Sequence, residues 1–195
     1  MSRRLFSALG AVPALVVAIS AVDARASVSI AATWDGLMHE STAAAVMSPV
    51  ESQAVWENGR IYTYTRLGVD RAVAGDLATG ASAWVRTLGG VVGKIGQVVE
   101  GEAVFTPGHS SLLFLHPGPA GTFEVTARGQ GQFPVIADDP KVTPKVVRSN
   151  AMGFILPRAA TTPASVRIAA EVIHGRALDD VAHEIAGDWD RTHRP

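Results

Sequence analysis

Three stretches of this chain invite a catalytic reading. The first runs through Glu100, Glu102, His109, His116 and Glu124. Paired carboxyls, or a histidine beside a serine, are the groups that acid–base and nucleophilic hydrolysis require. Local spacing selects no triad among them. After Gly108, the run His109-Ser110-Ser111 lacks the second glycine of a nucleophile elbow, because Leu112 stands there. The second stretch is Gly89-Gly90-Val91-Val92-Gly93-Lys94-Ile95. A phosphate loop needs a glycine where Leu88 stands and a hydroxyl side chain where Ile95 stands, so nucleotide binding is not expected. The third, His183-Glu184, opens like a zinc-protease helix but has Gly187 in place of the second histidine. The six histidines include no pair spaced as a metal clamp, and no metal or cofactor is expected.

A different candidate set would bind rather than react. Arg60, Tyr62, Tyr64 and Arg66 alternate, so a strand would present all four on one face, with Asp70 following. Tyrosine and arginine carry much of the binding energy at protein interfaces. The competing expectation is that C-terminal helices cover this face, leaving the rings half buried and the hydroxyls wet. Gln97, Gln130 and Gln132 sit beside glycines in turn-like segments, where their amides are expected to satisfy loop backbone.

The elements that must position these groups are short and mostly extended. A helix is expected over Trp34–Ser41, capped by Thr33 or Asp35, with Trp34, Leu37 and Met38 on one face. Ala43–Trp56 reads as a strand bulged at Pro49, and Asn58-Gly59 as the hairpin turn into a strand over Arg60–Asp70. That second strand turns Ile61, Thr63, Thr65, Leu67 and Val69 to the other face. Ser82–Leu88 is a third strand, and five glycines between Gly89 and Gly101 predict an irregular loop or wide hairpin. The apolar run Ser111–His116 suits a strand buried on both faces. Thr122–Arg128 and Gln132–Ile136 complete the β part. The chain is thus mainly β: a small antiparallel barrel or sandwich of about 5–7 strands with a helical C-terminal tail. Ser165–His174 and Leu178–Asp190 are helical by pattern, parted at Gly175.

The chain of 195 residues contains no cysteine, which removes disulfides, a thiol nucleophile and cysteine-held metals together. Its net charge of −1 does not suit a coat for nucleic acid. Arg3-Arg4, an uncharged run over Leu5–Ile19 and the ending Ala24-Arg25-Ala26 have the three parts of an export signal, with cleavage before Ser27. That run is too short for a spanning helix and is interrupted by Pro13, so no stable membrane span is expected after cleavage. Residues 27–195 carry 14 basic and 17 acidic side chains, a net charge of −3. The expected organisation is a signal peptide at 1–26, a β-barrel domain at 27–137, a Pro-rich linker or wrap-around segment at 138–163 and a helical tail at 164–195.

The order of features carries a resemblance. The early helix leads into a strand and then Trp56-Glu57-Asn58-Gly59-Arg60-Ile61-Tyr62-Thr63-Tyr64-Thr65, with Val73-Ala74-Gly75 beyond it. A Gly-Gly loop follows, then Phe105-Thr106-Pro107-Gly108 before Leu112–Leu115, and Gly121-Thr122-Phe123-Glu124-Val125. This is similar to uncharacterised bacterial exported proteins whose core resembles the netrin-like, or metalloproteinase-inhibitor-like, barrel of OB type. In the inhibitors of that family, the mature N-terminal cysteine offers its amine and carbonyl to the protease zinc. The resemblance therefore implies Ser27 as a partner-contacting residue, through its main-chain groups. The disulfides that fix that terminus in the inhibitors cannot form here.

The expected function is a periplasmic or extracellular, non-enzymatic module. It would bind a protein or cell-envelope partner through Arg60, Tyr62, Tyr64, Arg66 and Ser27, with a metalloprotease as one partner by resemblance. A secreted hydrolase of envelope polymers and a purely structural envelope protein are the alternatives.

Overall fold

A computed structural model describes residues 28–137, 142–156 and 165–194. The expected signal segment, Ser27 and parts of the expected linker lie outside the described residues. Two long strands, β1 (Ala43–Glu57) and β2 (Arg60–Gly75), form the main hairpin. Asn58 and Gly59 turn it with φ of 50° and 80°, the positive pair that a two-residue turn between twisted strands demands. Register shifts fall at Ala44/Ala45, Val46/Met47 and Pro49/Glu51. Pro49 has no N–H to give the ladder, so the expected irregularity there is a bulge that bends the ribbon.

The bent ribbon closes into a barrel. β3 (Ser82–Leu88) pairs antiparallel with β2 along Tyr62–Gly68, and β4 (Ser111–Pro117) pairs with β1 along Ala43–Met47. The gap is closed by β5 (Phe123–Val125), antiparallel to β4 and parallel to β3 at Val85↔Phe123. The ring order is β1-β2-β3-β5-β4 and back to β1, a closed five-stranded mixed barrel. The expected antiparallel arrangement holds at four seams and not at the fifth. Parity requires this, since directions cannot alternate all the way round a ring of five. Beyond β4 the sheet continues through β6 (Gln132–Ile136), β7 (Lys145–Val146) and β8 (Arg176–Ala177).

Three helices cover one outer wall. These are α1 (Trp34–Glu40), α2 (Ala169–Ile173) and α3 (Leu178–Thr192). Thr33 caps α1, its Oγ1 accepting from the Gly36 N–H at 3.0 Å. Two cores result. Met47, Leu67, Val69, Val85, Leu113 and Leu115 fill the barrel. Outside it, Trp34, Leu37, Ile173, Val181, Ile185 and Trp189 pack on Ala44, Val46, Leu112, Phe114 and Phe133. Strand β4 serves both cores by alternation, and Leu112–Leu115 are 0% exposed, which is why that run carries no polar face. Burial of each such side chain stabilises the fold by about 1.5–3 kcal/mol.

Three boundaries differ most from the sequence expectation. β2 runs on to Gly75 because Ala43–Val46 pairs with residues 71–75. It stops where Gly75 takes φ of 78° and a Cβ would lie 2.2 Å from the Thr42 carbonyl oxygen. The strand expected over Thr122–Arg128 shortens to β5, since Ala127 and Arg128 turn to positive φ. The first tail helix forms only over Ala169–Ile173.

Candidate functional site

The outward face of β2 and β3 is a ladder of cross-strand pairs: Arg66 opposite Trp84, Tyr64 opposite Arg86, and Tyr62 opposite Leu88. Arg86 is its centre. The guanidinium lies 3.5 Å from the centroid of the Tyr62 ring, a cation–π contact. Its two terminal nitrogens donate to Glu124 Oε1 at 2.8 Å and to Glu57 Oε2 at 2.9 Å. Burial works against the charge on Arg86, but Glu124 and Glu57 outweigh it and raise its pKa above the usual guanidinium value. The Tyr64 hydroxyl donates to the other Glu57 oxygen. That bond, with the Arg86 charge, holds the Glu57 carboxyl below its ordinary pKa, while burial and Glu57 push the Tyr64 phenol up. Arg66 pairs with Glu51 across to β1 at 2.5 Å, and Trp84 stays 40% exposed.

The tail helices do not take this face. They pack on the outer faces of β1, β4 and β6, and α3 meets β2 near its C-terminal end through Val73, Ala74 and an Arg71–Asp179 ion pair. The polar ladder therefore keeps its own partners, all supplied by barrel strands.

At the Tyr62 end the ladder opens into a pocket of about 330 Å³. Arg60 and Tyr62 of β2 and Arg86 of β3 line it, with His116 of β4, Glu124 of β5, and Glu102 and Arg128 from connecting segments. Residues proposed separately, two for binding and three for catalysis, thus meet in one place. Tyr64 and Arg66 stay on the ladder, and neither Glu100 nor His109 lines the pocket. His116 Nε2 lies 3.7 Å from Glu124 Oε2, and its Nδ1 lies 3.3 Å from the Thr126 hydroxyl. Burial, only partly offset by Arg128 at 3.9 Å, pushes the Glu102 carboxyl above its ordinary pKa. Sequence reasoning did not nominate Arg86, Glu57 or Arg128 as site residues. The alternation along β3 puts Arg86 on one face with Trp84 and Leu88, a usable signal in the sequence; no local pattern points to Arg128.

The three glutamines act as stand-in peptide groups, Gln130 and Gln132 for loop backbone as expected and Gln97 for strand β2 instead. Gln97 Oε1 accepts from the Ile61 N–H at 2.9 Å. Gln132 takes the Val104 N–H at 3.0 Å and gives to the Val104 carbonyl at 2.6 Å. Gln130 accepts from Ala32 N–H at 2.7 Å and donates to the Ile30 carbonyl at 2.9 Å. With the parallel pairing of Val28–Ser29 to Phe154–Ile155, Gln130 fastens the N-terminal segment without any disulfide. Ser27 itself lies outside the described residues.

His183 is exposed on α3, and its neighbour Glu184 is held by Arg167 and Arg176. Among the described residues no three His, Asp or Glu side chains gather as a metal clamp, and no helix is long and apolar enough to cross a membrane. Comparison with protein-family models, with curated proteins and with solved structures finds no match to this chain.

Proposed function

We propose that the protein is an exported, non-enzymatic binding module that holds a protein or cell-envelope partner on the outer face of β2 and β3. One observation carries this reading: Trp84, Tyr64, Tyr62, Arg86 and Arg66 form a continuous, rigid ladder on a wall that the helices leave free. Arginine and aromatic side chains are enriched among residues that dominate interface energetics, and the ion pairs order them before a partner arrives. The five-stranded ring, with its last strand inserted between the third and fourth, supports an OB-type barrel, whose second and third strands are a common binding face. The likeness to netrin-like exported proteins belongs to the same proposal, as does a metalloprotease among the partners. Export rests on the Arg3-Arg4 start, the apolar run and the Ala24/Ala26 ending.

The hydrolase reading has one observation in its favour, since Glu102, His116 and Glu124 line one pocket. It is the weaker because Glu124 is already engaged by Arg86 and faces His116, so it is not a free nucleophile or base. Capture from secreted and envelope fractions distinguishes the two. The chain from Ser27 onward should retain a partner that a Tyr64→Ala/Trp84→Ala variant with unchanged melting temperature releases. Equal retention by both proteins, or turnover of generic glycan, ester or peptide substrates, overturns the binding reading.

A further inference from the structure

We propose that the pocket beside the ladder binds the carboxylate of an acidic sugar residue. This rests on reading the β2–β3 face as a binding surface, and it names the chemical class of the partner. The first support is charge. Arg60 is exposed on the pocket wall, and among the described residues its guanidinium has no hydrogen-bond or ion-pair partner. Arg128 reaches no closer than 3.9 Å to Glu102, longer than a hydrogen bond. Glu124, the other acidic group of the lining, is already engaged by Arg86 at 2.8 Å. Arg60 is thus left without a counter-charge, and three guanidinium groups face two carboxylates around a concave site, the arrangement that attracts an oxyanion.

The second support is construction. Arg86 is fixed by two carboxylates and the Tyr62 ring, yet its Nε is buried and has no hydrogen-bond partner among the described residues. Arg128 follows Ala127 in the left-handed region, with φ of 54° and 56° at the two residues. Such conformations are costly for residues with a Cβ, and they concentrate at ligand sites.

The third support separates a sugar from an acidic peptide. A peptide carboxylate arrives on methylenes that favour an apolar wall, whereas seven of the ten lining side chains here carry polar groups, the others being Leu88, Val125 and Ala127. The Tyr62 hydroxyl, His116 and the Glu102 carboxyl are donors and acceptors suited to ring hydroxyls. A volume of about 330 Å³ is near the lower end for ligand pockets and fits one pyranose unit rather than a chain.

The test is titration of the protein with glucuronate, glucose, inorganic phosphate and a short glutamate-rich peptide. It is followed by calorimetry and by the Arg Nε–H resonances. Glucuronate should bind and shift the Arg86 resonance. Arg60→Ala and Arg128→Ala should each weaken binding about tenfold, as loss of one charge-assisted contact does. Glucose should not compete. Equal or tighter binding of phosphate or of the peptide overturns the assignment, and so does the absence of any glucuronate binding. The Trp84→Ala variant keeps the two failures apart. Trp84 neither lines the pocket nor bonds to Glu57 or Glu124, so Trp84→Ala should retain glucuronate while weakening partner capture, and partner capture without glucuronate binding defeats this inference alone.

Discussion

Glu184 shows how single side chains hold the tail to itself. Arg167, ahead of α2, and Arg176, in β8, both donate to its carboxylate. Burial would push this carboxyl up, but the two arginines outweigh it and hold its pKa below the ordinary value of 4.5. A folded-state pKa below the unfolded one adds stability above the unfolded value. That stability is lost as pH falls through the folded value. Glu184→Gln should therefore lower the urea midpoint at pH 7, by an amount worth about 1 kcal/mol for a partly exposed network. At pH 3 the gap from the parent protein should shrink. A gap that stays constant between the two pH values would rule out this assignment. The same scale explains why Arg86 was harder to foresee than Tyr62. Its importance comes from Glu57 and Glu124, which are distant in the chain, and from a ring that stacks on it from the neighbouring strand.

At the scale of elements, the N-terminal segment is held by a side chain rather than by a crosslink. Gln130 supplies one donor and one acceptor to the backbone of Ile30 and Ala32, adding a side-chain neighbour to the pairing of Val28–Ser29. Gln130→Leu keeps a comparable volume and removes both bonds. It should cost about 1–3 kcal/mol, because two main-chain groups lose their partner. It should also speed amide exchange at Ala32 while leaving the β1–β2 hairpin amides protected. Uniform acceleration across the chain would mean that Gln130 acts on global stability and not as a local clasp. Much of this layer was legible beforehand. Thr33 caps α1, Asn58-Gly59 turns the hairpin, and the spacing of Leu178, Val181, Ile185 and Trp189 places the buried stripe of α3. Each of these is a local signal with a local cause. The ends of β2 and β5 were not legible, because they depend on which neighbours pair with them.

At the scale of the molecule, barrel and helices share strands β1 and β4. β1 and β4 send Ala45, Met47, Leu113 and Leu115 inward, and Ala44, Val46, Leu112 and Phe114 outward to the helices. Neither core can be lost without exposing a strand that builds the other. Thermal unfolding should show one transition, with calorimetric and van't Hoff enthalpies equal. Ile185→Ala, at a site 0% exposed, should move that whole transition at a cost of about 2–5 kcal/mol. Earlier loss of the helical signal alone would show that the layers are separable.

The sequence by itself determined what depends on neighbours a few residues apart. Periodicity set which face of each element is apolar, turn chemistry set the hairpin, and the lack of cysteine left packing and hydrogen bonds to hold the fold. Only the tertiary structure decided which faces meet. Ring closure through the parallel β3–β5 seam brings Arg60, Arg86, Glu102, His116, Glu124 and Arg128 around one pocket. Helix docking on β1, β4 and β6 leaves the Tyr–Arg ladder open. The physical reason is that local propensities are periodic along the chain, whereas pairing register and barrel closure are non-local and set by the burial of whole faces together.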